Sequence, residues 1–180
     1  MTNNLLVLQS DFGLVDGAVS AMIGVAFQEE YWPKGTTFVS VVDPGVGSSR
    51  KSVVALTKTG QYIVTPDNGT LSYIKKDVGI VAVREISEVE NRRSNTELSY
   101  TFHGRDVYAY TGAKLASGHI SFEEVGPELP VDKILELPVV ETIIEDNLVR
   151  GAIDILDVRF GSLWTSITRD DFYALEPNFG

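Results

Sequence analysis

The chain has 180 residues with 43% apolar side chains and a formal net charge of −10, from 15 basic and 25 acidic residues. That apolar share fits a globular core and argues against disorder, while the acidic balance argues against a nucleic-acid duplex or an anionic membrane as partner. The absence of cysteine removes disulfides, thiol nucleophiles and thiolate metal sites from consideration.

Residues 5–8 form a short apolar run that ends in Gln9-Ser10-Asp11, as a buried strand with polar groups at its C-terminal end does. Asp16 stands where a helix cap belongs, and Val19, Met22, Ile23, Ala26 and Phe27 follow as a helical stripe. Pro33-Lys34-Gly35 is a turn. Residues 36–42 are β-branched and aromatic, a strand that stops at Asp43-Pro44-Gly45. Residues 52–56 and 62–64 predict two strands around a Thr59-Gly60 turn, and residues 78–83 another. Residues 106–117 predict a helix with a small-residue face of Ala109, Gly112, Ala113 and Ala116, stopped by Gly118. Strands alternating with helices predict an α/β domain with a largely parallel sheet. Ligands bind such sheets at the C-terminal strand ends, where Asp11 and Asp43 stand.

Residues 126–141 carry three prolines and several acidic groups and read as a connector, after which 149–155 and 163–167 begin a strand-rich unit. The expected division is an α/β domain over 1–126, a connector over 127–148, and the start of a β domain over 149–180. No internal repeat stands out. There is no unbroken apolar run of bilayer-spanning length, and the N-terminal residues lack the basic start and small-residue cleavage site of a secretory leader. A cytoplasmic location is therefore expected.

Several familiar patterns fail on inspection. Gly45-Val46-Gly47-Ser48-Ser49-Arg50 begins like a dinucleotide fingerprint, but its third glycine is an arginine and a strand follows. Asp11-Phe12-Gly13 and His103-Gly104-Arg105-Asp106 echo kinase motifs in reversed order, without the upstream glycine loop and lysine strand. His119 follows a helix end, where a surface position is natural. What remains is five clusters of charged groups beside glycine turns. They are Ser10-Asp11-Phe12-Gly13 with Asp16; Val42-Asp43-Pro44-Gly45-Val46-Gly47-Ser48 with Arg50; Pro66-Asp67-Asn68-Gly69; Phe102-His103-Gly104-Arg105-Asp106; and Asp157 with Phe160-Gly161-Ser162-Leu163-Trp164-Thr165. Glycines there permit tight turns and close backbone approach. One alternative reading of these residues is a metal-dependent phosphohydrolase using Asp11, Asp16, Asp43 and Asp67 around magnesium.

In this order the five clusters resemble the signature of the SAM hydroxide adenosyltransferases, relatives of the fluorinating and chlorinating adenosyl enzymes. The resemblance runs over about residues 5–167. It implies an N-terminal α/β domain, a small β-barrel-like C-terminal domain, and a homotrimer with active sites between subunits. It implies hydrolysis of S-adenosyl-L-methionine to adenosine and L-methionine by an activated water, with neither metal nor organic cofactor. Asp43, Arg50 and His103 correspond to the family's hydrolytic centre, Asp11 to its ribose-binding aspartate, and Asp16, Gly104, Asp157 and Ser162 to its methionine site. The halide-using relatives lack the aspartate and the histidine, so the resemblance favours water as nucleophile. The alternative it leaves is binding of S-adenosyl-L-methionine or adenosine without turnover.

The sequence departs from the family pattern in three places. Tyr31 directly follows the helical segment that ends at Glu30, where the family has a few dozen further residues. The C-terminal domain stops at Gly180, before the part that grips adenine, and position 162 is serine where the family usually has asparagine. Two expectations follow: a chain break or an unresolved segment near the junction of Glu30 and Tyr31, and exposed apolar strands over 149–155 and 163–167.

Overall fold

The computed structural model describes residues 5–10, 32–96, 102–138, 140–145, 147–157 and 161–175, with backbone alone for 6–10, 155 and 157. The expected helical stripe, Asp11, Asp16 and the junction of Glu30 and Tyr31 lie outside the described residues. Two compact units divide the chain, Met1–Leu137 and Pro138–Gly180.

The first unit is built on a six-stranded sheet with the order β1-β2-β4-β3-β5-β6, where β1 is Leu6–Ser10, β2 Thr37–Val41, β3 Ser52–Thr57, β4 Tyr62–Pro66, β5 Ile80–Glu85 and β6 Glu128–Leu129. Parallel pairing joins β1 to β2 and β2 to β4, with Leu6 opposite Thr37 and Phe38 opposite Ile63. The other pairs are antiparallel. The expected parallel order is thus confined to one side, and the sheet as a whole is mixed. The reason is local: the short Thr59-Gly60 turn makes β3 and β4 a hairpin, and a hairpin is antiparallel by construction.

Consecutive side chains on a strand point to opposite faces, so a strand apolar at every position needs cover on both. On one face Phe38, Val53, Ala55, Ile63 and Val83 pack with Leu71 and Ile74, at and within helix α1 (Ser72–Asp77), and with Ile134. On the other, Val39, Val41, Val54 and Val64 pack with Val107, Tyr108, Leu115, Phe122 and Val125. Those covering residues come from a π-helical turn (Gly104–Ala109), helix α3 (Tyr110–Ala116), and a 3-10 turn (Glu123–Val125) with Phe122 as its N-cap. Helix α2 is the single turn Glu88–Asn91.

The expected helix over 106–117 is present, and Gly118 ends it at φ 69°, a left-handed conformation in which glycine suffers no steric penalty. Its buried face differs from the expected small-residue stripe. Thr111, Gly112, Leu115 and Ala116 are buried, but Ala113 is exposed. The stretch expected as a connector also divides differently. Residues 128–134 belong to the first unit, through β6 and the buried Ile134, while Ile143–Glu145 (β7) and Leu148–Arg150 (β8) pair as a hairpin of the second. Prolines at 127 and 130 bracket β6, which pairs at the sheet edge, the place where a sheet tolerates proline.

The second unit adds a hairpin of β9 (Ile153–Asp157) and β10 (Ser162–Thr165), then helix α4 (Arg169–Tyr173). Helix α4 opens with a capping box between Thr168 and Asp171. The expected exposure of apolar strand residues is found at Ile153, Leu163 and Trp164.

Candidate active site

Asp43 follows the C-terminal end of β2. Two successive turns carry the chain back, with the Val46 N–H donating to Asp43 O at 3.2 Å and the Ser48 N–H to Gly45 O at 3.0 Å. The return sets Arg50 beside Asp43, seven residues earlier. The guanidinium grips the carboxylate with both prongs: Nε donates to Oδ1 at 2.8 Å, and Nη2 donates to Oδ2. Both side chains are over nine-tenths buried. A buried pair of this kind holds only when the remaining donors are also satisfied. Arg50 Nη1 donates to Ser52 Oγ at 3.1 Å, and that hydroxyl pairs with the Tyr108 hydroxyl at 2.9 Å. The guanidinium carbon also lies 5.5 Å from the Tyr108 ring centroid. Burial works against the charge on Arg50, but the hydrogen bond to Asp43 and the surrounding negative groups outweigh it and raise its pKa. Burial pushes the Tyr108 hydroxyl far above the ordinary tyrosine range, so it stays protonated.

His103 begins the π-helical turn and is buried. Such turns are rare and concentrate at functional sites. Its Nδ1 lies 3.2 Å from Arg50 Nη2, which closes the contact among Asp43, Arg50 and His103. The other ring nitrogen, Nε2, lies 3.0 Å from Arg92 Nη2, and Arg92 is itself bound to Glu88 one helical turn back. Burial lowers the His103 pKa first; the carboxylate of Glu88 raises it, Arg50 and Arg92 lower it, and Asp43 raises it. The net direction is downward, so the ring is neutral at physiological pH. A neutral imidazole has a single lone pair with which to accept a hydrogen bond or a proton.

The loop after β4 braces this centre. Asn68 Nδ2 donates to Val42 O at 2.7 Å, tying Pro66-Asp67-Asn68-Gly69 to the residue before Asp43. Gly69 has φ 97°, a conformation that strains any side chain, and a Cβ there would meet Leu137 Cγ at 2.6 Å and force that side chain to shift. Asp67 accepts the Leu135 N–H at 2.9 Å; burial raises its pKa against that hydrogen bond and the charge of Lys51. Asp106 is fully buried and takes both prongs of its neighbour Arg105, which holds its pKa below the usual carboxylate range.

The predicted residues therefore divide. Asp43, Arg50 and His103 come together, with the half-buried Gly104 next to His103 in the chain. Asp157 and Ser162 lie in the second unit, where the β9–β10 register sets them opposite each other. Asp11 and Asp16 are outside the described residues. Among the described residues no group of three or more His, Asp or Glu side chains is arranged to hold a metal ion, and both Asp43 oxygens already accept from Arg50. His119 is exposed. Four participants were not foreseen: Ser52, Tyr108, Glu88 and Arg92. Only the last two left a trace, an acid four residues ahead of a base on one helical turn.

Comparison with known proteins places these residues in context. The profile of the SAM hydroxide adenosyltransferase N-terminal domain matches residues 28–126. An (R)-S-adenosyl-L-methionine hydrolase of Methanocaldococcus jannaschii is 38% identical over 141 residues, covering 78% of this chain and 46% of the relative. A fluorinase of Actinopolyspora mzabensis is 27% identical over 173 residues, covering 83% of this chain and 57% of the relative. The chain thus spans about half the length of the curated relatives it matches. A crystal structure of a conserved protein from Thermotoga maritima aligns over 97% of this chain and 76% of its own, at 30% identity and a TM-score of 0.73.

Proposed function

We propose, from the premise that this chain belongs to the SAM hydroxide adenosyltransferase family, that the protein hydrolyses S-adenosyl-L-methionine to adenosine and L-methionine. The observation that carries the reading is the contact of His103 with the Arg50–Asp43 pair. A water oxygen attacks the 5′ carbon of the substrate, the C–S bond breaks, and its electron pair stays on sulfur. Methionine leaves as a neutral thioether, so no acid is needed. The work falls on the nucleophile. Arg50 supplies fixed positive charge that favours hydroxide character, Asp43 holds the guanidinium fork and orients the water, and neutral His103 takes the proton. Positioning of this kind supplies up to about 7–11 kcal/mol of barrier reduction in the best-aligned cases.

Two relatives with different nucleophiles match this chain, and the chemistry of the site separates them. A halide brings no proton, so a buried base has no task in its attack. Water suits this arrangement and halide does not.

The remaining roles follow the family resemblance. Asp11 holds the ribose; Asp16, Gly104, Asp157 and Ser162 receive the methionine end. The opposed register of Asp157 and Ser162 suits two residues that serve one end of a ligand. The working form is a cytoplasmic homotrimer with active sites between subunits, independent of metal and organic cofactor. No described helix is long and apolar enough to cross a membrane.

The test is incubation with substrate in oxygen-18 water, followed by mass analysis of adenosine. Label in the 5′ hydroxyl is expected, with turnover unchanged by a chelator. Adenosine without label, or methylthioadenosine instead, would overturn the reaction. Tight adenosine binding with no turnover would favour a non-catalytic binding protein.

A further inference from the structure

His103 sits between two arginine–carboxylate pairs, and the hydrolytic reading uses only one of them. On one side are Asp43 and Arg50, from the loop between β2 and β3. On the other are Glu88 and Arg92, at and just beyond helix α2. The second pair is built as carefully as the first. Arg92 is 6% exposed at its side chain, and its Nε donates to Glu88 Oε2 at 3.0 Å. Its Nη1 donates to Thr96 O at 3.2 Å, and its Nη2 lies 3.0 Å from His103 Nε2. A surface ion pair formed only for helix stability has no reason to bury its arginine against an imidazole.

The chemistry of the ring gives this arrangement a consequence. Arginine only donates, and a neutral imidazole has one lone pair to accept with. Guanidinium groups face both ring nitrogens, so a neutral ring accepts from only one of them, and adding a second ring proton sets an imidazolium between two fixed cations. Asp43 and Glu88 are the opposing charges: each favours the charged ring, as Arg50 and Arg92 disfavour it. Asp43 is spent on a two-pronged grip of Arg50, while Glu88 is 38% exposed at its side chain and reaches water.

We propose that Glu88 and Arg92 are a positioning pair for His103, whose balance of charge sets the pH at which the imidazole gains its second proton. Arg92 holds the ring by its Nε2 edge and keeps it neutral; Glu88 tempers that effect so that the ring can still accept a proton during turnover. The catalytic value of the pair rests on the hydrolase reading. Its effect on the ring does not.

The protein has two histidines, so a His119→Gln background leaves one imidazole to follow by nitrogen-15 NMR. Glu88→Gln removes a negative charge and is expected to move the His103 midpoint to lower pH. Arg92→Leu removes a positive charge and is expected to move it to higher pH, and Arg92→Lys, which keeps the charge, to leave it near the parent value. The acid limb of the kcat profile should follow the same order. In Arg92→Leu, kcat should fall on the order of 100-fold with KM little changed, since the ring loses its clamp. Opposite shifts with no turnover in any form would sink the hydrolase reading and uphold the pair's role. Shifts of one sign in both variants, or none, would overturn the proposal even with hydrolysis intact. If Arg92→Leu fails to fold, Glu88→Gln and Arg92→Lys still decide it.

Discussion

Strands β3 and β10 have similar compositions and opposite fates. Ser-Val-Val-Ala-Leu-Thr in β3 is buried at every position but Leu56, while Ser-Leu-Trp-Thr in β10 is exposed throughout. The difference is cover. In the first unit helical elements pack on both faces of a six-stranded sheet, so each added strand buries two rows of side chains. In the second unit the described strands form two-stranded sheets, and a lone hairpin is marginal in water. Apolar sequence thus does not by itself make a core; layers do. The proposed hydrolytic centre sits where the layers are complete, so its buried charges can be held in place.

Removing the proposed proton acceptor is the largest change available on the well-packed side. His103→Ala should lower kcat by about two to four orders of magnitude, the range for losing a general base. Asp43→Asn should cost a similar factor, because it loosens the Arg50 fork. Ser162→Ala, in the second unit, should act chiefly on KM. Steady-state kinetics with calorimetric binding separates the two behaviours. A KM effect alone in His103→Ala would end its assignment to the water.

The arginine pairs extend the contrast to stability. Arg50→Leu strands a buried carboxylate and should cost about 3–5 kcal/mol, a large share of the ~5–15 kcal/mol that holds a domain folded. Arg150 meets Glu145 at 3.5 Å in the second unit, with side chains 63% and 53% exposed. Arg150→Leu should change stability by no more than about 1 kcal/mol. Apolar truncations should follow the same line. Ile63 is fully buried, and Ile63→Ala should cost about 2–5 kcal/mol; Leu156 is 66% exposed, and Leu156→Ala should stay within about 0.5 kcal/mol. Urea titration measures all four, and equal losses in the two units would erase the distinction.

The sequence showed most of this where local rules decide. The β-branched run of β2, the Thr59-Gly60 hairpin and the Gly118 stop are each set by nearby residues, and the structure has them. The mixed sheet was less legible, because strand order depends on partners far along the chain. Asp43, Arg50 and His103 were visible as motif residues beside glycine turns. Arg92 was less so: its spacing from Glu88 marks an ion pair, but its contact with His103 crosses from one element to another, which no local rule foretells. Ser52 and Tyr108 were hidden for the same reason: each resembles an ordinary core residue until the other's hydroxyl is seen 2.9 Å away.

The smallest expected effect is a pH dependence confined to the first unit, which holds both histidines. Burial and the two arginines set the folded-state pKa of His103 below its ordinary value of 6.5. As pH falls, the unfolded chain therefore takes up the proton first. The stability His103 contributes is complete above 6.5 and is lost as pH drops through the lower folded-state value. Asp106, whose folded-state pKa is lowered by Arg105, loses its contribution only below its own ordinary value of 3.8. Asp67, raised by burial, has the opposite sign: its folded form is favoured at acid pH, and that advantage is lost as pH rises from 3.8 through its folded-state value. A comparison between about pH 7.5 and about pH 5.5 samples the upper part of the His103 window, away from the ordinary carboxylate values. Over that interval the unfolding free energy of the parent protein should fall more than that of His103→Gln, which has no ring to protonate. Amide exchange should localise the loss to the sheet of the first unit and leave β9 and β10 unaffected. A His103→Gln protein with the same pH slope as the parent would show that the ring is not held neutral by its surroundings, and would remove the physical basis for treating it as the base.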